Sequence, residues 1–111
     1  MHGSAAQRDR RIRVRFRPEA EADLNALFEY LLGETAPRVA GDYVRRVHAA
    51  CTALQDFPNR GAPRSDLGPG VRLIGFERRV AIAYRVEPDE VVILAVLYGG
   101  RDLFAVLRDE R

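Results

Sequence analysis

The stretch from position 79 to position 86 reads RVAIAYRV and alternates in polarity with a period of two residues. This period is typical of a β-strand, because successive side chains of a strand point to opposite faces of the sheet. The two valines, the isoleucine and the tyrosine share one face, whereas Arg79 and Arg85 share the other with two alanines. The stretch therefore predicts a strand with an apolar back and a small, basic front, and we expect function on that front.

Two neighbouring runs extend this strand into a sheet. Residues 91–98 (VVILAVLY) form a second strand-like run after Glu87–Glu90, whose proline and aspartate favour a tight reversal. A shorter run, residues 70–76 (GVRLIGF), precedes the stretch. The three runs predict an antiparallel three-stranded meander.

The residues before the meander predict one more strand and two helices. Residues 12–16 (IRVRF) alternate cleanly, and their outer arginines suit the edge of a sheet. A helical stripe of apolar residues begins at Pro18 and ends at Gly33, and another runs from Pro37 to Leu54. We expect an antiparallel helical hairpin that covers the apolar back of the sheet, which makes the fold an α+β sandwich of two layers.

Length and composition predict one domain over residues 12–111, preceded by a disordered tail over residues 1–11. Residues 57–69 hold three prolines and two glycines and predict a loop. Residues 103–107 fit a short helix or a strand-like tail equally well. We find no apolar run near 18 residues, which favours a soluble cytoplasmic protein and excludes a membrane partner.

The side-chain inventory excludes several kinds of chemistry. Cys51 is the single cysteine and cannot form an internal disulfide, and the 18 cationic residues are all arginines. The glycine-rich segments lack the spacing of a phosphate loop, and no paired cysteines or histidines suggest a metal site. We therefore expect no cofactor and no metal. His2 lies in the tail and His48 lies in a predicted helix, so a histidine base is disfavoured.

What remains is a group of arginines with one tyrosine. If Arg79 and Arg85 face the open side of the sheet, Arg72, Arg101 and Tyr98 join them there. Guanidinium groups bind phosphate bidentately and stabilise the charge that builds up during phosphodiester cleavage. The alternative interpretation is an ordinary solvent-facing set that forms ion pairs with nearby carboxylates.

Five segments in order carry a resemblance to a known family. Together they resemble the RelE/ParE superfamily of bacterial toxins from type II toxin–antitoxin systems, also called plasmid-stabilisation proteins. The segments are the helix from Ala22 to Tyr30, Leu54 followed by FPNRG (57–61), GVR (70–72), RVAIAYRV (79–86) and VLYGGRD (96–102). The resemblance spans about residues 12–107.

The resemblance implies a cytoplasmic toxin that forms a hetero-oligomer with an antitoxin encoded beside it. Such antitoxins wrap the toxin with an extended amphipathic segment. On this basis we expect Tyr30, Leu32, Arg79 and Arg85 to bind the antitoxin.

The superfamily divides by target. ParE-like members poison DNA gyrase by binding, whereas RelE-like members are endoribonucleases that cut mRNA on the ribosome. The Phe-Pro-x-x-Gly segment, the Gly-Gly-Arg-Asp segment, the absence of lysine and the lack of a histidine near the meander resemble the ParE branch. Arg72, Arg79, Arg85, Tyr98 and Arg101 are then expected to bind the target.

Two alternatives stay open at this point. In a nuclease, Arg79, Arg85 and Arg101 would hold the scissile phosphate and Tyr98 would transfer a proton, although many ParE-like relatives have histidine at that position. A third possibility is a non-toxic member that acts only with its antitoxin in a repressor complex.

Overall fold

The structure is a computed structural model that describes residues 12–99. Within this range there are two α-helices, five strands and two 3-10 helices. Their bounds are β1 Arg13–Phe16, α1 Pro18–Leu32, α2 Pro37–Thr52, a 3-10 helix Ala53–Gln55, β2 Ala62–Pro63, a 3-10 helix Ser65–Leu67, β3 Val71–Phe76, β4 Val80–Val86 and β5 Glu90–Tyr98. The expected tail over residues 1–11 and the undecided segment over residues 101–111 lie outside the described range.

The five strands form one sheet in the order β1-β5-β4-β3-β2. The predicted meander is confirmed, because β3, β4 and β5 pair antiparallel in succession. The N-terminal strand is also confirmed, at the sheet edge that its exposed arginines suggest. Its pairing with β5 is parallel, since Arg13 lies opposite Glu90 and Phe16 lies opposite Ile93.

Both helices begin at their predicted prolines and α1 ends at its predicted glycine, whereas α2 ends at Thr52, two residues before the predicted end, and continues as a 3-10 helix. Pro18 and Pro37 each occupy the first turn of a helix, and Gly33 caps the end of α1. Leu24 and Leu27 of α1 lie in the main core with apolar residues from α2, β4 and β5. The predicted α+β class, with both helices packed against the apolar back of the sheet, is therefore confirmed.

The other face of the sheet corrects the expectation of an open basic front. A second apolar cluster covers it, and Leu94 and Leu97 are only 3% and 5% exposed. The physical reason lies in β5, where the seven consecutive residues Val91–Leu97 are all buried. A central strand that is apolar throughout has two faces to bury, not one.

A β-bulge in β5 determines which way the end of that strand faces. Ala83 lies opposite Ala95 whereas Tyr84 lies opposite Ile93, so Leu94 is an extra residue. Because of this insertion, Ile93 and Tyr98 both belong to the helix-facing core although they differ in parity. The bulge therefore places Tyr98 on the side of the helices.

Two further details differ from the sequence expectation. The predicted loop 57–69 contains the short strand β2, which pairs with β3 at the sheet edge, and the 3-10 helix Ser65–Leu67. Arg79 lies outside β4, in the turn that joins β3 to β4. None of the helices in residues 12–99 is long and apolar enough to cross a membrane.

Candidate partner-binding groove

A groove of about 500 Å³ opens between the two helices and one end of the sheet. The second half of α1, the start of α2, the β3–β4 turn and the end of β5 enclose it. The residues that line it are Leu27, Tyr30, Leu31, Thr35, Val39, Ala40, Tyr43, Glu77, Arg78, Arg79, Val80, Tyr98 and Gly99. Its floor is therefore mostly apolar.

The rim of the groove exposes large apolar side chains. Tyr30 is 52% exposed and Val39 is 51% exposed, and they lie on the two helices that flank the opening. The ring of Tyr30 contacts that of Tyr98, with centroids 5.4 Å apart. Exposed apolar groups that border an apolar groove mark a surface suited to a partner.

The β3–β4 turn supplies the charges at this opening. Glu77 forms an ion pair with Arg46 of α2, whose guanidinium also lies 5.2 Å from the centroid of the Tyr43 ring. Arg78 and Arg79 line the groove, and no ion pair to either is found among residues 12–99. Within the described range, the turn thus presents two cationic side chains that form no ion pair.

The backbone of this turn is unusual. Glu77 and Arg78 have φ values of 51° and 64°, in the left-handed region that glycine and asparagine prefer. The amide of Arg79 donates to the carbonyl oxygen of Phe76 at 3.2 Å, which closes the turn. Two successive positive φ values are typical of a type I′ hairpin turn, in which Asn-Gly is the favoured pair. The chain therefore holds two long side chains in a strained position at the mouth of the groove.

Tyr43 of α2 contributes a polar atom to the same site. Its hydroxyl is buried and has no hydrogen-bond partner within residues 12–99. Burial is the main cause of a raised pKa of Tyr43, with the Glu77 charge adding to it and Arg79 opposing it. At neutral pH the hydroxyl is consequently a neutral group that can donate a hydrogen bond.

The first turn of α2 also lies at the groove. Thr35, Val39 and Ala40 line the opening, and α2 has no side-chain cap and no acidic residue in its first turn. The positive end of the helix dipole thus remains uncompensated next to Arg78 and Arg79.

The predicted site residues fall into separate groups. The structure brings Tyr30, Arg79 and Tyr98 together in the groove. Leu32 is half-buried near the end of α1 and does not line the groove. Arg101 lies outside the described residues.

Arg85 does not join Arg79, which corrects the expected arginine cluster. Its Nε donates to a Glu87 carboxylate oxygen at 2.8 Å. It lies six positions after Arg79 along the chain, which at about 3.3 Å per residue of a strand is a distance of about 20 Å. A phosphate cannot contact both guanidiniums.

Arg72 is also engaged elsewhere. Its Nη1 donates to the carbonyl oxygens of Asn59 and Gly61 at 3.1 and 2.5 Å. The buried Tyr84 hydroxyl donates to the carbonyl oxygen of Pro58 at 2.9 Å and accepts from the amide of Gly61 at 2.8 Å. Arg72 and Tyr84 therefore stabilise the 58–61 loop, and the FPNRG segment has a structural explanation.

Sequence reasoning missed three groove residues. Tyr43 was predicted only as a member of the apolar helical stripe, and Val39 and Arg78 were not singled out. A signal for Arg78 exists in the sequence, since Glu77 and Arg78 stand between two strand-like runs, where a turn is expected.

The chemistry of the remaining candidates is limited. Cys51 is buried, and burial raises its pKa to about 12, which leaves the thiol protonated and unreactive. His48 stacks on Phe16, with ring centroids 4.7 Å apart. Within residues 12–99, no group of three or more potential acidic, histidine or cysteine ligands is placed to hold a metal ion.

Comparison with known proteins agrees with the fold. A family model described as the ParE toxin of the type II toxin–antitoxin system, parDE, matches residues 14–103. The chain belongs to the ParE toxin family. It is 33% identical over 94 residues to Toxin ParE3 of Caulobacter vibrioides, which covers 85% of this chain and 92% of that protein.

A solved structure gives the same result for the fold. The chain resembles a protein of the chromosomal ParDE toxin–antitoxin system from P. aeruginosa, with a TM-score of 0.71 and 28% identity. The match covers 80% of this chain and 97% of the other. The predicted ParE-like branch is thus confirmed, and this ParE family chain is the toxin component of a type II toxin–antitoxin module, with an antitoxin as its partner.

Proposed function

We propose that this ParE family toxin acts in the cytoplasm by binding DNA gyrase, and that its antitoxin neutralises it by occupying the groove. The observation that carries the proposal is the groove itself. It combines an apolar floor with cationic and aromatic side chains at its rim, which suits a protein partner.

The groove has the chemistry that an amphipathic antitoxin segment requires. Apolar side chains of the segment would bury Tyr30 and Val39, the two large apolar groups exposed at its rim. Acidic side chains would offset the charge of Arg78 and Arg79. A segment that folds on binding gains affinity from such combined contacts.

Neutralisation follows if the target and the antitoxin share residues. Arg79 and Tyr98 lie at the same rim as Tyr30, so one bound segment covers them all. We propose that Arg79 and Tyr98 contact gyrase, together with Arg101, and that the antitoxin excludes gyrase by direct competition. Arg72 and Arg85 take a smaller part, because their guanidiniums already bind groups of this chain.

The geometry supports a binding toxin over a nuclease. Of the residues expected to form a nuclease site, only Arg79 and Tyr98 lie together among residues 12–99. A tyrosine hydroxyl is a weak base at neutral pH, and Arg79 is the one guanidinium of the predicted nuclease set that the described residues bring to the groove. Among residues 12–99, the groove thus holds only part of the predicted nuclease site.

Expression of the toxin without its antitoxin tests the proposal. We expect induction of the DNA-damage response and filamentous cells while protein synthesis continues at first. Purified toxin should inhibit supercoiling by gyrase and trap cleaved DNA, and added antitoxin should restore supercoiling. An immediate stop in translation would instead support ribosomal mRNA cleavage, and normal growth would support a role in the repressor complex alone.

The substitution Tyr98→Phe separates binding from proton transfer. The ring and its contact with Tyr30 remain, so gyrase inhibition should change little, whereas a nuclease that uses the hydroxyl would lose cleavage. Toxin concentrations in the cell must be matched by immunoblotting, because a change in abundance would imitate either result.

A further inference from the structure

The two unpaired arginines of the groove differ from most other arginines in the described chain. Arg15, Arg46, Arg64 and Arg85 each form an ion pair with a nearby carboxylate. Such pairs are absent for Arg78 and Arg79 within residues 12–99, although Glu77 is the next residue in the chain. Glu77 is held by Arg46 on α2. The carboxylate of the turn therefore lines the groove, but it forms its ion pair with α2 and not with Arg78 or Arg79.

Three other features of the same opening favour an anion. The Tyr43 hydroxyl is buried without a partner and can donate a hydrogen bond. The N-terminus of α2 lacks an acidic residue or a side-chain cap. Arg78 stays in the left-handed region at φ 64°, where glycine would relieve strain. A strained backbone at a binding surface is expected where the side chain that it carries is needed.

We propose that Arg78, Arg79 and the Tyr43 hydroxyl form a carboxylate-binding subsite at the mouth of the groove, which takes an aspartate or glutamate side chain of the antitoxin segment. This inference rests on the proposed function, because it takes the antitoxin as the occupant of the groove. Arg46 acts as a positioning residue, since it holds the turn through Glu77 and its guanidinium lies 5.8 Å from the Phe76 ring centroid.

A peptide carboxylate fits better than the other possible occupants. The apolar floor next to the subsite disfavours a phosphodiester chain, whose neighbouring charges would lie over Leu27 and Val80. The chain's own residues 101–111 follow Gly99 in the sequence, but they contain three arginines and three acidic residues, which cancel in charge. An acidic and apolar segment from a partner complements both halves of the site.

The main test uses Arg78→Gly, because stability and binding should move in opposite directions. Glycine relieves the left-handed strain, so we expect Tm to rise by about 4–8 °C. Loss of the guanidinium should weaken Kd for the antitoxin about tenfold. The probe is the purified product of the open reading frame adjacent to the toxin gene, and binding is measured by calorimetry over a series of salt concentrations.

Two further variants exclude a general effect on folding or charge. Tyr43→Phe should keep the stability of the toxin and weaken antitoxin binding about fivefold, because it removes one hydrogen bond to a charged group. Arg13→Ala is the matched control, since it removes an exposed arginine paired with the far end of β5 and should leave Kd unchanged. Double-mutant cycles between Arg78 and each acidic residue of the antitoxin should show coupling with one of them.

Three outcomes would overturn the subsite. The first is wild-type affinity and salt dependence for both Arg78→Gly and Tyr43→Phe, while the wild-type toxin binds the antitoxin and poisons gyrase. The second is tighter binding after deletion of residues 101–111 without any effect of Arg78→Gly, which would indicate that the chain's own segment fills the groove. The third is self-association of the wild-type toxin that Arg78→Gly abolishes, which would indicate that a second copy of the chain fills the groove. A wild-type toxin that binds no antitoxin would instead refute the proposed function.

Discussion

The 58–61 loop and the groove each combine a tyrosine hydroxyl with arginine side chains, yet their hydrogen bonding differs. Tyr84 is fully buried, and its hydroxyl both donates to Pro58 and accepts from Gly61. The Tyr43 hydroxyl is also buried, but it has no partner among residues 12–99. The same contrast holds for Arg72, which binds loop carbonyls, and Arg78, for which no ion pair is found in that range.

Whether a polar side chain has a hydrogen-bond partner inside the chain therefore distinguishes a structural role from a binding role, even between residues of the same type. A buried polar group with its partners inside the chain stabilises the fold, and removing it leaves those partners unsatisfied. A buried polar group without partners costs stability in the isolated chain. Its retention next to an open groove is explained if the missing partner belongs to another molecule.

Gly61→Ala should have the largest effect on stability. An added Cβ would lie 2.8 Å from the Tyr84 hydroxyl oxygen and 2.9 Å from the carbonyl oxygen of Leu73, which is backbone and cannot move away cheaply. We expect the free energy of unfolding to fall by about 3 kcal/mol, measured by urea denaturation.

Gly41→Ala is the matched control for that substitution. Gly41 lies inside α2, and its added Cβ would meet only the flexible Arg45 side chain at 3.6 Å and Phe28 at 3.9 Å. Alanine is the better helix former, so stability should rise by about 0.5–1 kcal/mol. A comparable loss in both variants would show that the close approach at Gly61 is not what limits the loop.

Tyr84→Phe should destabilise the fold by about 2 kcal/mol, because the Gly61 amide and the Pro58 carbonyl lose their partner. If the unfolding free energy depends on urea concentration with the same slope as in wild type, the effect is on stability alone. A free energy of unfolding close to that of wild type would show that water replaces the hydroxyl, and the comparison with Tyr43 would then fail.

The fold could be predicted from the sequence because its elements depend on local signals. The period of two in β4 and the prolines at the helix starts, Pro18 and Pro37, give the element types directly. The parallel pairing of β1 with β5 has no such signal, since it depends on how the helical hairpin returns the chain to the sheet. The burial of the front face did have a sequence signal, which is the unbroken apolar run of β5. This run indicates a sheet that is buried on both faces, whereas the alternation of β4 alone indicates one open face.

The site could be predicted only in part, for geometric reasons. Arg79 and Arg85 share a face if the strand includes both, but the strand begins at Val80 and Arg79 falls in the turn. The bulge at Leu94 then brings Tyr98 to the helix side, next to Arg79. Sequence periodicity does not locate the end of a strand or a β-bulge to within one residue, so neither feature could be predicted.

Tyr43→Phe should not lower the free energy of unfolding and should raise it by up to about 1 kcal/mol, because the lost hydroxyl is buried without a partner in residues 12–99. The same denaturation experiment as for Tyr84→Phe gives the comparison directly, since both substitutions remove one oxygen atom. A loss as large as that of Tyr84→Phe would show that the Tyr43 hydroxyl already has a structural role.

Glu90→Gln tests the third combination, a polar contact that is satisfied but exposed, and its effect should be the smallest. Both nitrogens of Arg15 that face Glu90 donate to its carboxylate, at 3.1 and 2.9 Å. The hydrogen bond from Arg15 is the main cause of a lowered pKa of Glu90, with the Arg15 charge adding to it and desolvation opposing it.

The sign of the pH dependence follows from that direction. A carboxylate whose pKa is lower in the folded state contributes stability above its unfolded pKa, near 4.5, and loses it as the pH falls through the folded value. Urea denaturation from about pH 6 to about pH 3 should therefore show a slightly steeper loss for wild type than for Glu90→Gln. Solvent screens this contact, so the two proteins should differ little at neutral pH. A large loss of unfolding free energy at neutral pH would mean that the ion pair anchors β1 to β5. The presence of a hydrogen-bond partner, and not burial, would then be the property that distinguishes the 58–61 loop from the groove.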